Sequence, residues 1–353
     1  MKIFILTLVF CLLETTLTAQ RKVKVYVDER VELITITQLL FDYPLVGKAE
    51  IGYKKDVLDY FSKYKNERCI ENLQHITENN FSFVKPFNYT YHFTFPGFKQ
   101  MASFNDYEET VLGFKGRHDT LSEFNRNLKR FYKISKFHPF FESKKQFYDS
   151  ITTLVENEVN KYDLIQEIEN YYGSRQNSYN LVLSPLFIDA GMSTWVESAN
   201  GNNLYSIIGP NTDSKISPDF DIRWLIQNLV LHEFSHPFCN PLIEKHYSQL
   251  EKDSCLYEPV RKALLKQGTN GWKSTLCEMF TRANEVLLIR KLYGKEDAEK
   301  IYNEYINQKW IYIQGLVPLL EEYQKNRPAY VSLEDIMPKV IAYFNSEAES
   351  QCK

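Results

Sequence analysis

The sequence predicts an α+β fold, mainly helical with a small sheet, and three observations carry that reading. Apolar residues recur at helical spacing through long segments such as DTLSEFNRNLKRFYKIS and GWKSTLCEMFTRANEVLLIRKLYG. Only the runs VKVYV, NLVLSPLF and NLYSIIGP read as strands. Shortly after the last of these comes a capped amphipathic segment, SPDFDIRWLIQNLVLHEFSH, with Ser217 as N-cap, Pro218 at the first helical position and Asp219 and Asp221 in the first turn.

Taken in order, residues 1–19 read as an export signal, with Lys2 as the positive start, an apolar run from Ile3 to Leu13 and a small-residue end at Leu17-Thr18-Ala19. That run is shorter than the about 20 residues a bilayer crossing needs, and no later segment offers a second candidate. The expectation is a secreted or periplasmic chain, cleaved near Ala19, with no membrane span after signal removal. After the VKVYV strand, RVELITITQLLFDY and KKDVLDYFSKYKNERCIENLQHI read as helices. Residues 81–117, punctuated by Pro86, Pro96, Gly97 and Gly113, read as irregular structure with short strands or turns. Helices follow from Asp119 with a Thr120 to Glu123 capping box, after Pro139, and through DLIQEIENYYG, closed by Gly173. The polar run GSRQNSYN marks a boundary between a mainly helical region, 20–175, and a second region, 176–353. The last helices are interrupted near Gly315 and Pro318, and the final one starts at Ser332 with Asp335 completing its cap.

Composition narrows the function classes. With 44% hydrophobic residues, 25% charged residues and a net charge of −3, the 353-residue chain is of ordinary globular make-up. No basic stripe with interleaved aromatics suggests nucleic acid. Five cysteines remain beyond the signal, and no pair has C-x-x-C spacing. A bridge among Cys239, Cys255 and Cys277 competes with buried free thiols.

The chemistry is concentrated in His232, Glu233 and His236, an H-E-x-x-H. At i and i+4 on a helix both imidazoles can reach one ion from the same face, and Glu233 projects beside them, where it could take a proton from water. Ile222, Leu225 and Leu229 lead into the same stripe, so the histidines continue a buried face. The competing reading is two core histidines bonded to backbone. Pro237 directly follows the motif, which predicts that His236 is the last residue of its helix. His75, His92, His118 and His138 lack ligand spacing and read as structural or surface residues.

These residues resemble the zincin superfamily. HEFSH followed by Asn240 and Pro241, with the opening VYVDERVELI, resembles an uncharacterised family of secreted bacterial metallopeptidases of gluzincin type. The resemblance implies a zincin-like catalytic domain, Zn2+ as cofactor, a peptide or protein as substrate, and an edge strand before the zinc helix that holds substrate by strand addition. A plain structural hairpin is the alternative for those strands. The metzincin extension is not met, because Cys239 stands at its glycine and Leu242 at its third histidine. A carboxylate on a later helix is then the expected third ligand. The gluzincin layout implies Glu278, with Glu285 as the alternative and Arg282 as a partner orienting the carboxylate. Read without the resemblance, Glu278 and Arg282 form a surface i,i+4 ion pair. His246 has no supporting ligand spacing, and His246, Tyr247 and Tyr257 all remain open as the donor to a developing oxyanion. The functional expectation is a zinc-dependent metallopeptidase with Glu233 as general base. The alternative is a non-catalytic secreted binding or scaffold protein on the same fold.

Overall fold

The computed structural model describes residues 21–101, 103–210 and 229–352. The expected export segment and the expected Ser217 to Asp221 helix start lie outside the described residues. The architecture is α+β and mainly helical, with one four-stranded sheet. Strand β1 (Lys24–Tyr26) leads into nine helices: α1 (Glu29–Leu39), α2 (Gly52–Phe61), α3 (Arg68–Glu78), α4 (Lys85–Tyr91), α5 (Asp106–Thr110), α6 (His118–Ile134), α7 (Phe137–Ser143), α8 (Lys145–Val159) and α9 (Leu164–Tyr172). Strands β2 (Ser178–Leu183), β3 (Gly191–Ser198) and β4 (Gly201–Ile208) follow. Helices α10 (Leu231–Leu250), α11 (Glu258–Leu265), α12 (Trp272–Tyr293), α13 (Lys295–Asn307), α14 (Ile313–Lys325) and α15 (Met337–Gln351) complete the described chain.

The strands lie in the order β1-β2-β4-β3, parallel except for the β3–β4 hairpin. Successive side chains of a strand point to opposite faces, and both faces here are covered by helices. Leu181, Leu183, Trp195, Leu204 and Ile208 join the core of the α10 and α12 layer. Val182, Met192 and Ile207 join the core built on α1 to α8. β1 thus belongs to the same sheet as β2, and Val155, Ile165 and Ile168 of α8 and α9 share the α10 and α12 core.

Several expectations are corrected. β3 was not expected as a separate strand: its faces are both buried around Thr194 and Trp195, so it lacks the alternation that marks a half-exposed strand. Pro237 does not end its helix, since α10 runs through Pro237 and Pro241 to Leu250. Each proline removes one i to i−4 bond, and burial of Phe238, Cys239 and Ile243 outweighs that loss. Residues 81–117 hold two short helices, α4 and α5, besides a bridge between Phe93 and Gln100. Helix α6 starts at His118 after Arg117, with no Thr120 box. Pro139 lies inside α7, and a break at Lys144 separates α8 from it. Gly315 and Pro318 lie inside α14, the break coming before it. The disulfide joins Cys255 to Cys352, while Cys239 and Cys277 are free thiols; the partner cysteine lay 97 residues away, beyond any local spacing rule. The Ser332–Asp335 capping box and the left-handed Gly173 at the end of α9 form as expected.

The core beside α1 contains a buried carboxyl, Glu32, bonded by the hydroxyls of Tyr53 at 2.5 Å and Ser184 at 3.1 Å. Burial pushes it from 4.5 up to about 7 against those hydrogen bonds. Between these pH values the folded chain holds a proton that the unfolded chain has released, so stability falls as pH rises from 4.5 to 7. At about 1.4 kcal/mol per pH unit the loss is about 3 kcal/mol above pH 7. Glu32→Gln is therefore expected to stabilise the fold more at pH 8 than at pH 5, read from denaturant midpoints; equal effects at both would contradict this.

Candidate metal centre

Helix α10 is pressed against the sheet by Leu231, Phe234, Phe238, Cys239 and Ile243, all buried. One turn apart on it, His232 and His236 are buried too, their rings edge to face with centroids 4.6 Å apart. Helix α12 faces them. The pairs His232–Glu285, His236–Thr281 and Lys273–Glu244 fall in opposite order along the two helices, so α10 and α12 run antiparallel. Leu276, Phe280, Ala283 and Leu287, at helical spacing, are buried, and so are Met279, Val286, Leu288 and Ile289, which makes α12 a central helix.

Three side chains converge between the two helices. The Nε2 atoms of His232 and His236 are 3.0 Å apart, and Glu278 places carboxylate oxygens 3.4 Å from the first and 3.5 Å from the second. The other ring nitrogens are engaged behind them: His232 Nδ1 donates to Glu285 Oε2 at 3.0 Å, and His236 Nδ1 to Asn240 Oδ1 at 3.1 Å. With its Nδ1 proton so placed, a neutral ring at either position turns its Nε2 lone pair toward the other ring and the Glu278 carboxylate. Such an arrangement could hold a cation. A tetrahedral ion with bonds of about 2.0–2.1 Å separates its ligand atoms by about 3.3–3.4 Å, within the observed range of separations.

The electrostatics show the same demand for positive charge. Burial would lower the basicity of His232, but hydrogen bonds to Glu278 and Glu285 outweigh it and raise the group to about 10. Burial drives His236 down to about 4. Burial raises Glu278, yet His236, His232 and Arg282 together hold it well below the usual carboxylate range. Arg282 donates to Glu278 Oε2 at 3.3 Å and lies over the rings of Tyr305 and Trp310, each 4.6 Å away.

Glu233 also has an oxygen within 4.8 Å of both histidine nitrogens. Two observations separate its role from that of Glu278. Burial pushes Glu233 up to about 7, where Glu278 is held low, and Glu233 Oε2 is buried without a hydrogen-bond partner. Its other flank meets β3: a Cβ on Gly191 would lie 2.6 Å from Glu233 Oε1. Glycine at 191 leaves the carboxylate its room.

The remaining candidates lie elsewhere. His246 and Tyr247 are ten and eleven residues past His236, about 15 Å along the helix. His246 faces Glu334 at 3.8 Å, and Tyr247 stacks under Lys273. Tyr257 donates to the carbonyl of Thr269. Glu285 meets the far nitrogen of His232 rather than the converging face, and it accepts from Tyr305 at 2.6 Å. Tyr305 and Gly191 had no signal in the sequence, whereas Asn240 stands four residues after His236. Of the scattered histidines, His92 is buried against Glu108 at 2.7 Å, His118 and His138 pair with Glu109 and Glu29, and His75 is exposed.

The fold and site thus define a mainly helical chain with a buried His-Glu-His cluster able to hold a metal ion. Residues 23–343 match the family described as Domain of unknown function (DUF4932), and the chain belongs to that family. No curated protein and no solved structure matches it.

His232→Ala and Glu278→Ala are each expected to abolish stoichiometric zinc binding, measured by elemental analysis. Glu285→Gln should keep the stoichiometry but weaken affinity by about 10–100-fold, as loss of an orienting partner does. Full zinc retention in Glu278→Ala would contradict the site.

Proposed function

We propose that the chain is an exported zinc-dependent peptidase, and the observation that carries the reading is the convergence of His232, His236 and Glu278 beside a buried Glu233 carboxylate oxygen without a hydrogen-bond partner among the described residues. His232, His236 and Glu278 would hold the ion. Zinc bound there supplies Lewis acidity, lowering the pKa of water and polarising a carbonyl. Glu285 and Asn240 keep the two imidazoles in the tautomer that leaves Nε2 free. Arg282 steadies Glu278. Glu233 takes the proton from the attacking water and passes it to the leaving amine, so one carboxylate serves both halves of the reaction.

The sheet supports an extended polypeptide as substrate. The two strands expected there, β2 and β4, lie inside the sheet, and the edge strand beside β4 is β3. Ala190 accepts from the Gly209 N–H at 3.1 Å, so by the antiparallel pattern Gly191, Ser193 and Trp195 turn their N–H and C=O groups away from β4. Main-chain groups at Gly191 and Ser193 are thus offered to an added strand right beside Glu233. Glu278, the most accessible member of the cluster at 24% exposure, opens it to solvent. The Cys255–Cys352 disulfide fits the oxidising compartment that an export signal leads to. Among the described residues no helix is long and apolar enough to cross a membrane.

Glu233→Gln is expected to lower kcat by about 10²–10⁴-fold, the usual weight of a general base, with zinc content unchanged. Undiminished hydrolysis by this variant would contradict the mechanism. Gly191→Ala should also lower kcat with zinc retained, because its methyl displaces Glu233. A zinc-loaded protein that cleaves no member of a mixed peptide library would favour the binding-protein alternative.

A further inference from the structure

The free edge of β3 is closed a short way from Glu233. Among the described residues Gly191 and Ser193 present main-chain groups with no partner beyond β4, but the next outward carbonyl, that of Trp195, accepts from Asn88 Nδ2 at 3.1 Å. The same amide donates to Thr194 Oγ1 at 2.8 Å, and Asn88, on α4, is buried. On the opposite face of the sheet Tyr107 of α5 lays its ring 4.7 Å from the Trp195 indole. Helices α4 and α5 therefore wrap the edge from both sides at one residue. From Gly191 to Trp195 is about 13 Å, at about 3.3 Å per residue.

Direction follows from pairing. An added strand bonds better antiparallel to its neighbour than parallel. Its N-terminal residues would then lie toward Trp195, and the bond to be cut would lie where Gly191 meets Glu233. Few residues fit on the N-terminal side of that bond. The closed end also holds an unused acceptor, since Asn88 Oδ1 is buried and has no hydrogen-bond partner. An acceptor suits the terminal ammonium of a peptide.

We infer that the enzyme acts near the free N-terminus of peptides, with no more than about three residues ahead of the cleaved bond, and that Asn88 and Tyr107 set this limit. The inference rests on the peptidase reading. Tyr107 is a positioning residue, acting on substrate length through the edge of β3, while Asn88 closes that edge and offers its Oδ1 to the terminal ammonium.

The test uses the zinc-loaded full mature chain and a peptide series sharing one scissile sequence, with one, two, four or six residues ahead of it. Cut positions are read by mass spectrometry, and affinity for Glu233→Gln is measured by calorimetry. The expected result is a kcat/KM at least tenfold lower with six residues ahead than with two, matched by weaker binding of the long peptide. Asn88→Ala and Tyr107→Ala, tested separately, should each narrow that ratio at least threefold. Equal kcat/KM across the series, or cutting in the middle of long peptides, would overturn the limit and leave the peptidase reading standing. No cleavage of any length would overturn both.

Discussion

Two imidazole nitrogens and a carboxylate aimed at one point of a largely buried cluster are held together by positive charge among them, whether a proton or a metal ion. Much of the local structure serves to hold that convergence in place. Glu285, itself fully buried and bonded by Tyr305, fixes His232 from behind, and Asn240 does the same for His236. Arg282, sandwiched with Tyr305 and Trp310, offsets part of the negative charge that Glu278 and Glu285 bring into the core. A buried polar network is stable only when its members are satisfied. In the proposed reading, a zinc ion held at the centre would complete the network.

The scaffold around this centre explains why it stays put. Helix α12 packs against α10, α13 and α14, so Glu278 and Glu285 project from an element with almost no freedom to shift. Helix α10 lies on the sheet, and β3 approaches it at Gly191, where the absence of a side chain lets Glu233 and the strand edge share one space. The site is therefore a meeting of three rigid elements. The N-terminal helices cover the other face of the same sheet and reach round its edge through Asn88.

What could be read in advance was what depends on local periodicity. His232, Glu233 and His236 are legible because one helical turn places them together, and the pairing of Glu278 with Arg282 follows from the same spacing on α12. The sequence alone could not say which of Glu278 and Glu285 faces the Nε2 atoms, since that depends on how two helices 40 residues apart are rotated against each other. Gly191, Tyr305 and the Cys255–Cys352 bridge were out of reach for the same reason: each acts through a contact distant in the chain. Pro237 shows the opposite error, where a sound local rule is overridden by the packing of Phe238, Cys239 and Ile243.

The central claim is that a zinc ion belongs between α10 and α12. Crystals of the mature chain grown with zinc, with anomalous diffraction collected on both sides of the zinc edge, test it most directly. The account predicts one peak about 2.0–2.2 Å from His232 Nε2, His236 Nε2 and a Glu278 carboxylate oxygen. An absent peak with His232 and Glu278 joined directly by a proton, or a zinc ion bound elsewhere, would contradict it.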